Sequence, residues 1–388
     1  MSIRTYYIYI LTATIIVSIL AGGCTHKHAT PSSGFAAAID SLIPIYSHSF
    51  RVDYYDGYRV ISVYSGADKA TITTYLLTSK DAQVPGGISD AVRINFPATR
   101  VACMSTTHLG AMKLLNARNF IAATTNSYLV CDSLIKVMIA SGVIKDVGKD
   151  YQPDYEVISQ SKPDLIFTDG ENSGTSQMYA KMKALKINVV FSRDYFEQQP
   201  LARAEWIKFF GAFIGREKLA DSLFKVVETD YSAEKDLIAR TGDRPTVFCN
   251  LPYTGIWYMP CGENYAAKLI TDAGGQFLWT NDKPMNGLNL TLNFEQVYGR
   301  AAEADFWINT NTNSSLSEIG NLDAKLKLFK AFKTGMVFNG IKRVSPAGGM
   351  DIWETGSYLP NIVLRDLALI FHSHGPIDEK LYYYKQLK

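Results

Sequence analysis

Residues 217–240 run for 24 positions without a glycine or a proline. Leu219, Leu223, Val226, Val227, Leu237 and Ile238 recur along them at helical spacing, which predicts one amphipathic helix. At ~1.5 Å per residue such a helix is about 36 Å long, roughly a domain diameter. It separates two regions that read alike, each alternating short apolar runs with helical ones. That layout predicts an α/β fold: two βα sandwich lobes with parallel central sheets flanked by helices, joined by one long rigid helix.

In the first region, Val101-Ala102-Cys103-Met104 reads as a buried strand. Ser105-Thr106-Thr107 supplies N-cap hydroxyls for a helix beginning near His108. Further strands are expected at 120–124, 165–168 and 188–191, and helices at 132–141, 155–161 and 176–185. A helix is expected over 201–214. The second region offers strands at 246–249 and 305–309, late strands at 337–338 and 343–344, and helices at 265–273, from 294, and at 359–371. Ahead of both, Asp56-Gly57 stands between β-branched and aromatic runs, a strong hairpin signal. A third strand at 71–77 completes an antiparallel extension, expected at the edge of the first βα region. The expected boundaries are a signal peptide (1–24), a tether (25–49), the β extension (50–98), an N-terminal lobe (99–200), linker helices (201–244) and a C-terminal lobe (245–388).

The first 24 residues read as a targeting segment. Arg4 is the only charge, residues 6–20 are apolar or weakly polar, and Ala21-Gly22-Gly23 precede Cys24, the pattern of a secretory signal peptide. Cys24 after two small residues resembles the lipobox of bacterial lipoproteins, although Ala21 stands where Leu is usual. The resemblance implies lipidation of Cys24 and an extracytoplasmic protein anchored to a bacterial membrane by lipid alone, facing the periplasm. Four cysteines remain, with three pairings open; Cys103 and Cys249 sit in strand-like runs that suit small core residues. With 39 basic and 37 acidic residues and no basic run longer than two, the chain lacks a nucleic-acid footprint.

In open parallel sheets, ligands lie outside the carboxyl ends of the strands. That rule selects Ser105, Thr106 and His108, then Asp169 and Glu171, then Arg193 and Tyr195. From the second region it selects Tyr253, Trp257, Tyr258, Asn309, Asn311, Met350 and Trp353. Rings with amide and hydroxyl partners suit a bulky, polar-edged ligand, and Arg193 suits its anionic group. His108 reads as a packing or capping residue, or as an axial ligand to a bound haem or corrinoid. No direct metal site is expected from the dispersed histidines. P-loop, dinucleotide, zincin and nucleophile-elbow motifs are missing from the sequence, so no enzyme is expected.

Residues 99–371 resemble class III, TroA-like periplasmic substrate-binding proteins of ABC importers for ferric siderophores, haem and cobalamin. The strand–turn–helix over 100–125 carries part of the likeness, with Leu115-Asn116-Ala117 in place of the family's Leu-Gly-Ala. The more specific motif is Glu156, six positions, then Lys162-Pro163-Asp164-Leu165. Its second-lobe counterpart is Phe294-Glu295-Gln296-Val297 followed by Ala304-Asp305-Phe306. The resemblance implies that Glu156 and Glu295 dock on a permease, that an ATPase completes the importer, and that the chain is a monomer with no cofactor of its own. It implies a ligand carrying Fe(III) or Co: an iron–siderophore complex, with cobalamin or haem as alternatives. A reading of another class is a surface scavenger or adhesin with no transporter.

Overall fold

The Asp56-Gly57 turn forms as expected, with Gly57 at φ 76° and Tyr55 paired to Tyr58. The computed structural model describes residues 38–64, 70–79, 91–169, 173–262, 264–284, 289–373 and 375–388. The signal segment with Cys24, the first part of the tether, Glu171 and His374 lie outside the described residues.

The hairpin belongs to a five-stranded sheet, β1 (Asp40–Leu42), β2 (Phe50–Tyr55), β3 (Tyr58–Tyr64), β4 (Thr71–Thr78) and β5 (Val92–Asn95), in sequential order. It is not the edge of a larger sheet. Its inward side chains Phe50, Val52, Ile61, Val63 and Tyr75 are buried, and they form a layer over the helices at 200–214. Phe50 meets Trp206 at 4.9 Å and Tyr75 meets Phe213 at 5.5 Å between ring centroids. β5 joins parallel to β4, so the extension is not wholly antiparallel. The expected tether also ends earlier than residue 49. β1 lies within it, and the buried Glu205 carboxylate accepts the main-chain N–H groups of Ile45, Tyr46 and Ser47 at 2.9, 2.8 and 3.1 Å.

The first lobe contains β6 (Val101–Cys103), α1 (Thr106–Leu114), β7 (Ile121–Thr124), α2 (Ser133–Ala140), β8 (Lys145–Asp146), the small hairpin β9 (Gly148–Lys149) and β10 (Gln152–Pro153), α3 (Tyr155–Gln160), β11 (Leu165–Asp169), α4 (Ser173–Ala184) and β12 (Asn188–Ser192). Its five-stranded sheet, ordered β12-β11-β6-β7-β8, is parallel throughout. The helix expected over 201–214 divides at Trp206 into α5 (Pro200–Glu205) and α6 (Ile207–Ile214). Gly215, at φ 71°, ends it.

The rod is α7 (Glu217–Ala239), 23 residues long. Ala220, Phe224, Val227, Tyr231 and Ile238 form its buried face. Near its start Ala220 packs on Gly211 of α6, where a β-carbon would lie 2.8 Å from Ala220. Further along, the Tyr231 hydroxyl donates to Asp272 of the second lobe at 2.8 Å.

The second lobe contains β13 (Thr246–Cys249), β14 (Trp257–Pro260), α8 (Tyr265–Asp272), β15 (Gln276–Phe277), β16 (Asn289–Leu292), α9 (Phe294–Ala301), β17 (Phe306–Ile308), α10 (Leu316–Leu322), α11 (Lys330–Lys333), β18 (Val337–Asn339), α12 (Asp351–Glu354), α13 (Pro360–His372) and β19 (Lys385–Gln386). Its sheet is ordered β15-β13-β17-β18-β19, parallel except for the last strand. β14 and β16 form a separate antiparallel ribbon. The strand expected at 343–344 is absent: Val344 makes one isolated bridge to Met350.

The two lobes repeat one device. Asp164, just before β11, accepts the N–H groups of Thr99 and Arg100 at 2.9 Å each and donates its own N–H to the Arg100 carbonyl at 2.7 Å. Asp305, just before β17, accepts the Thr246 N–H and hydroxyl at 2.9 and 2.7 Å and donates to the Thr246 carbonyl at 3.0 Å. Each aspartate thus fixes the register of two neighbouring parallel strands at their entrance.

Candidate functional site

A cavity of about 260 Å³ opens at the carboxyl ends of the strands. Tyr195 and Phe196, which follow β12, and Arg203 of α5 line one side. Asn250, Asn309, Asn311 and Asn339, which follow or end β13, β17 and β18, line the other with Tyr265. Asn250, Asn309 and Asn311 take φ of 66°, 59° and 56°, the left-handed turn that asparagine tolerates better than most residues. Their amides also brace the wall: Asn309 Oδ1 accepts the Tyr384 hydroxyl at 2.9 Å, and Asn250 Nδ2 donates to the Tyr258 carbonyl at 2.8 Å.

Arg203 is the cavity's arginine. Its Nε donates to the Asp194 carbonyl at 3.0 Å and its Nη2 to the Tyr195 carbonyl at 2.6 Å. The guanidinium lies 4.0 Å from the ring centre of Tyr265 and 5.6 Å from that of Tyr195, a stacked position that arginine favours. The expected arginine, Arg193, lies elsewhere, over the Phe196 ring at 4.6 Å and off the cavity wall. The sequence carried only a partial signal for it: Arg203 is one of three charges, with Glu205 and Lys208, inside the largely apolar run 201–214.

Of the other expected residues, Tyr195, Asn309, Asn311, Met350 and Trp353 meet at this cavity. Trp257, Tyr253 and Tyr258 do not, and the reason is the β14–β16 ribbon. Its alternation turns Trp257 inward, fully buried against Phe248, Trp307 and Phe329, with Nε1 donating to the Cys249 carbonyl at 2.9 Å. Tyr258 faces outward, and Tyr253 lies exposed in the tight turn to Ile256. Cys103 and Cys249 are buried core residues without a disulfide.

Ser105, Thr106, His108 and Asp169 gather beside the cavity rather than in its wall. Ser105 caps α1 by accepting the Thr107 N–H at 3.3 Å, and Thr106 opens that helix half-buried. His108 is wholly buried, its Nε2 3.0 Å from Asp169 Oδ1 and 3.1 Å from Ser192 Oγ. Burial opposes its protonation, but the charge and hydrogen bond of Asp169 prevail and raise its pKa. Burial likewise opposes ionisation of Asp169, yet His108, Ser192 and Ser105 hold that carboxyl below its usual range. Asp194, 3% exposed, is pushed up by burial and by the Asp169 charge.

A strap at 343–358 forms the remaining wall with Met350, Ile352 and Trp353. Its other side is seated on the first lobe. The Glu354 carboxylate accepts the N–H groups of Cys131 and Asp132 at 2.6 and 3.1 Å. Ser345 Oγ donates to the Tyr128 carbonyl at 3.1 Å, and Thr107 Oγ1 to the Trp353 carbonyl at 3.0 Å.

Glu156 and Glu295 occupy equivalent places, the second residue of α3 and of α9. Asp154 caps the first helix, and Asn293 with Gln296 forms a capping box on the second. Both glutamates are exposed. Gln160 donates to Glu156 at 3.2 Å, and Lys325 lies 3.5 Å from Glu295.

Comparison with known proteins places this geometry. The model of the family described as periplasmic binding protein matches residues 101–341. An uncharacterized lipoprotein of Methanocaldococcus jannaschii is 29% identical over 363 residues, covering 87% of this chain and 84% of the relative. A periplasmic heme binding protein from Pseudomonas aeruginosa superposes with a TM-score of 0.56 at 13% identity, over 75% of this chain and 98% of its own. A protein of an ABC-type Fe3+-hydroxamate transport system from Saccharomonospora viridis gives 0.53 at 14%, over 71% and 94%. No helix among the described residues is long and apolar enough to cross a membrane. The repeated lobes, the single connecting helix and the family match over most of both lobes have one consequence: this chain belongs to the periplasmic binding protein family, as a substrate-binding protein of the ABC-transporter type.

Proposed function

We propose that this chain, lipid-anchored through Cys24 outside the cytoplasmic membrane, carries a ferric-siderophore-type complex in the cavity between its lobes and hands it to an ABC permease. One observation carries the reading: aromatic rings (Tyr195, Phe196, Trp353), carboxamides and one stacked guanidinium converge on the cavity from both lobes. Such a wall suits an anionic chelate with apolar edges better than a bare ion. The relatives' named ligands, heme and Fe3+-hydroxamate, support this class. Glu156 and Glu295, exposed at matched helix starts, are the anchors toward permease arginines.

Tryptophan fluorescence tests the ligand. Trp206, Trp257, Trp279 and Trp307 are buried, whereas Trp353 is 42% exposed at the cavity. Ferric hydroxamate or catecholate chelates should quench it saturably, and Trp353→Phe should remove most of the signal. Saturable quenching by haem or cobalamin instead would move the assignment to those ligands. Quenching by none of them would end it.

A further inference from the structure

Beside the cavity and outside its lining, three segments of the first lobe bring together the first turn of α1, the end of β11 and the turn after β12. We propose that His108, Asp169 and Asp194 form a site for one first-row divalent cation, Zn2+ or Mn2+. One ligand atom from each lies within 4.8 Å of the others. Ligands of a shared ion sit ~2.0–2.2 Å from it, so small side-chain turns close the triangle.

Charge and burial point the same way. Once the imidazole and both carboxyls give up their protons, as ligands of a metal ion do, the three groups sum to a double negative charge, which a divalent cation cancels. Without an ion the group is poorly served. Asp194 Oδ1 is buried and makes no hydrogen bond, a costly state for a carboxylate. Arg203, the nearby cation, gives its Nε and Nη2 to main-chain carbonyls instead. The Tyr358 hydroxyl, also buried and without a hydrogen bond, lies close enough to feel the charges of Asp194 and Asp169. Ser192 Oγ, 3.1 Å from His108 Nε2 and 3.4 Å from Asp169 Oδ1, adds a hydroxyl oxygen to a set of one nitrogen and two carboxylates with no thiolate, a chemistry suited to zinc or manganese. All three proposed ligands come from the first lobe, so the ion is a fixed brace between strand ends and not the transported cargo. Asp169, with 53% of its side-chain surface open, is the side from which the ion enters.

The untagged full-length chain is stripped with a chelator, dialysed against Zn2+ or Mn2+, and its metal content measured by mass spectrometry. Co2+ serves as a spectroscopic probe. One ion per chain and visible Co2+ bands are expected. Asp194→Asn and His108→Gln should each weaken binding at least tenfold while the far-ultraviolet circular dichroism stays unchanged. Asp169→Asn, at the half-exposed position, repeats the test should a buried variant not fold. A stripped chain that takes up none of the three ions overturns the proposal, as does binding that keeps its affinity in all the folded variants.

Discussion

Asp132 shows how much of the first lobe rests on one carboxylate. It caps α2 by accepting the Ile135 N–H at 3.0 Å, and its two oxygens take Nε and Nη2 of Arg118 at 3.1 and 3.0 Å. Burial would raise its pKa, but the Arg118 bonds and the cap hold it below the usual range. Asp132→Ala removes a cap worth ~1 kcal/mol and charge-assisted bonds worth about 1.5–3 kcal/mol. A loss of about 2.5–4 kcal/mol is therefore expected in urea denaturation, with Asp132→Asn losing less because it keeps the cap. Asp305 supplies the pH test. Burial opposes its ionisation, but bonds from Lys330 and Thr246 lower its folded pKa. A folded pKa below the unfolded one stabilises above about pH 4, and the gain disappears as pH falls through the lowered value. Asp305→Asn should therefore cost stability at neutral pH and flatten the acid limb of a stability-versus-pH curve. An unchanged limb would mean the clamp carries no charge dependence.

At the scale of elements, local pattern decided what could be read from sequence. The Asp56-Gly57 hairpin and α7 carry their signals within a few residues: a turn dipeptide, and a helical period with no breaker. The aspartates before β11 and β17 were visible as a repeated motif, although their two-way clamps were not. Trp257 was misplaced because its direction depends on pairing with Leu292, distant in sequence. The strap at 343–358 was invisible for a related reason. It has no period, and its seat joins side-chain bonds from Glu354, Ser345 and Thr107 to two close approaches of backbone on backbone. A β-carbon on Gly110 would lie 1.7 Å from the Glu354 carbonyl oxygen, and one on Gly349 would lie 1.8 Å from that of Leu129. In an open helix Gly→Ala stabilises by about 1 kcal/mol. Here the strap must lift instead, so Gly110→Ala should lower the melting temperature. A rise would mean that the strap yields freely. Glu354→Ala should also destabilise, because it strands two donors at ~1–3 kcal/mol each, while Glu354→Gln keeps an acceptor and should cost less.

At the scale of the unit formed by residues 38–83 and 90–388, these contacts change how the lobes can move. One helix alone would let them rock about its flexible ends. Here α7 reaches from α6 to Asp272, and the strap ties the second lobe to α1 and to residues 128–132 at a separate place. Two attachments at different points leave little hinge freedom, so the spacing between the lobes is set largely before ligand arrives. Glu156 and Glu295 report that spacing, since one sits on each lobe and both are exposed. Spin labels on Glu156→Cys and Glu295→Cys, measured by electron–electron double resonance, should give one narrow distance distribution. Saturation with a ferric chelate should move it little. Adding Glu354→Ala should broaden it while α7 stays helical by circular dichroism. A distribution already broad in the unmodified strap, or indifferent to Glu354→Ala, would assign the spacing to the helix alone. Charge reversal at the two glutamates carries the test into cells: Glu156→Arg with Glu295→Arg should abolish uptake and leave chelate affinity within about twofold, because neither side chain lines the cavity. Uptake indifferent to the pair would mean that the two glutamates do not dock on a permease.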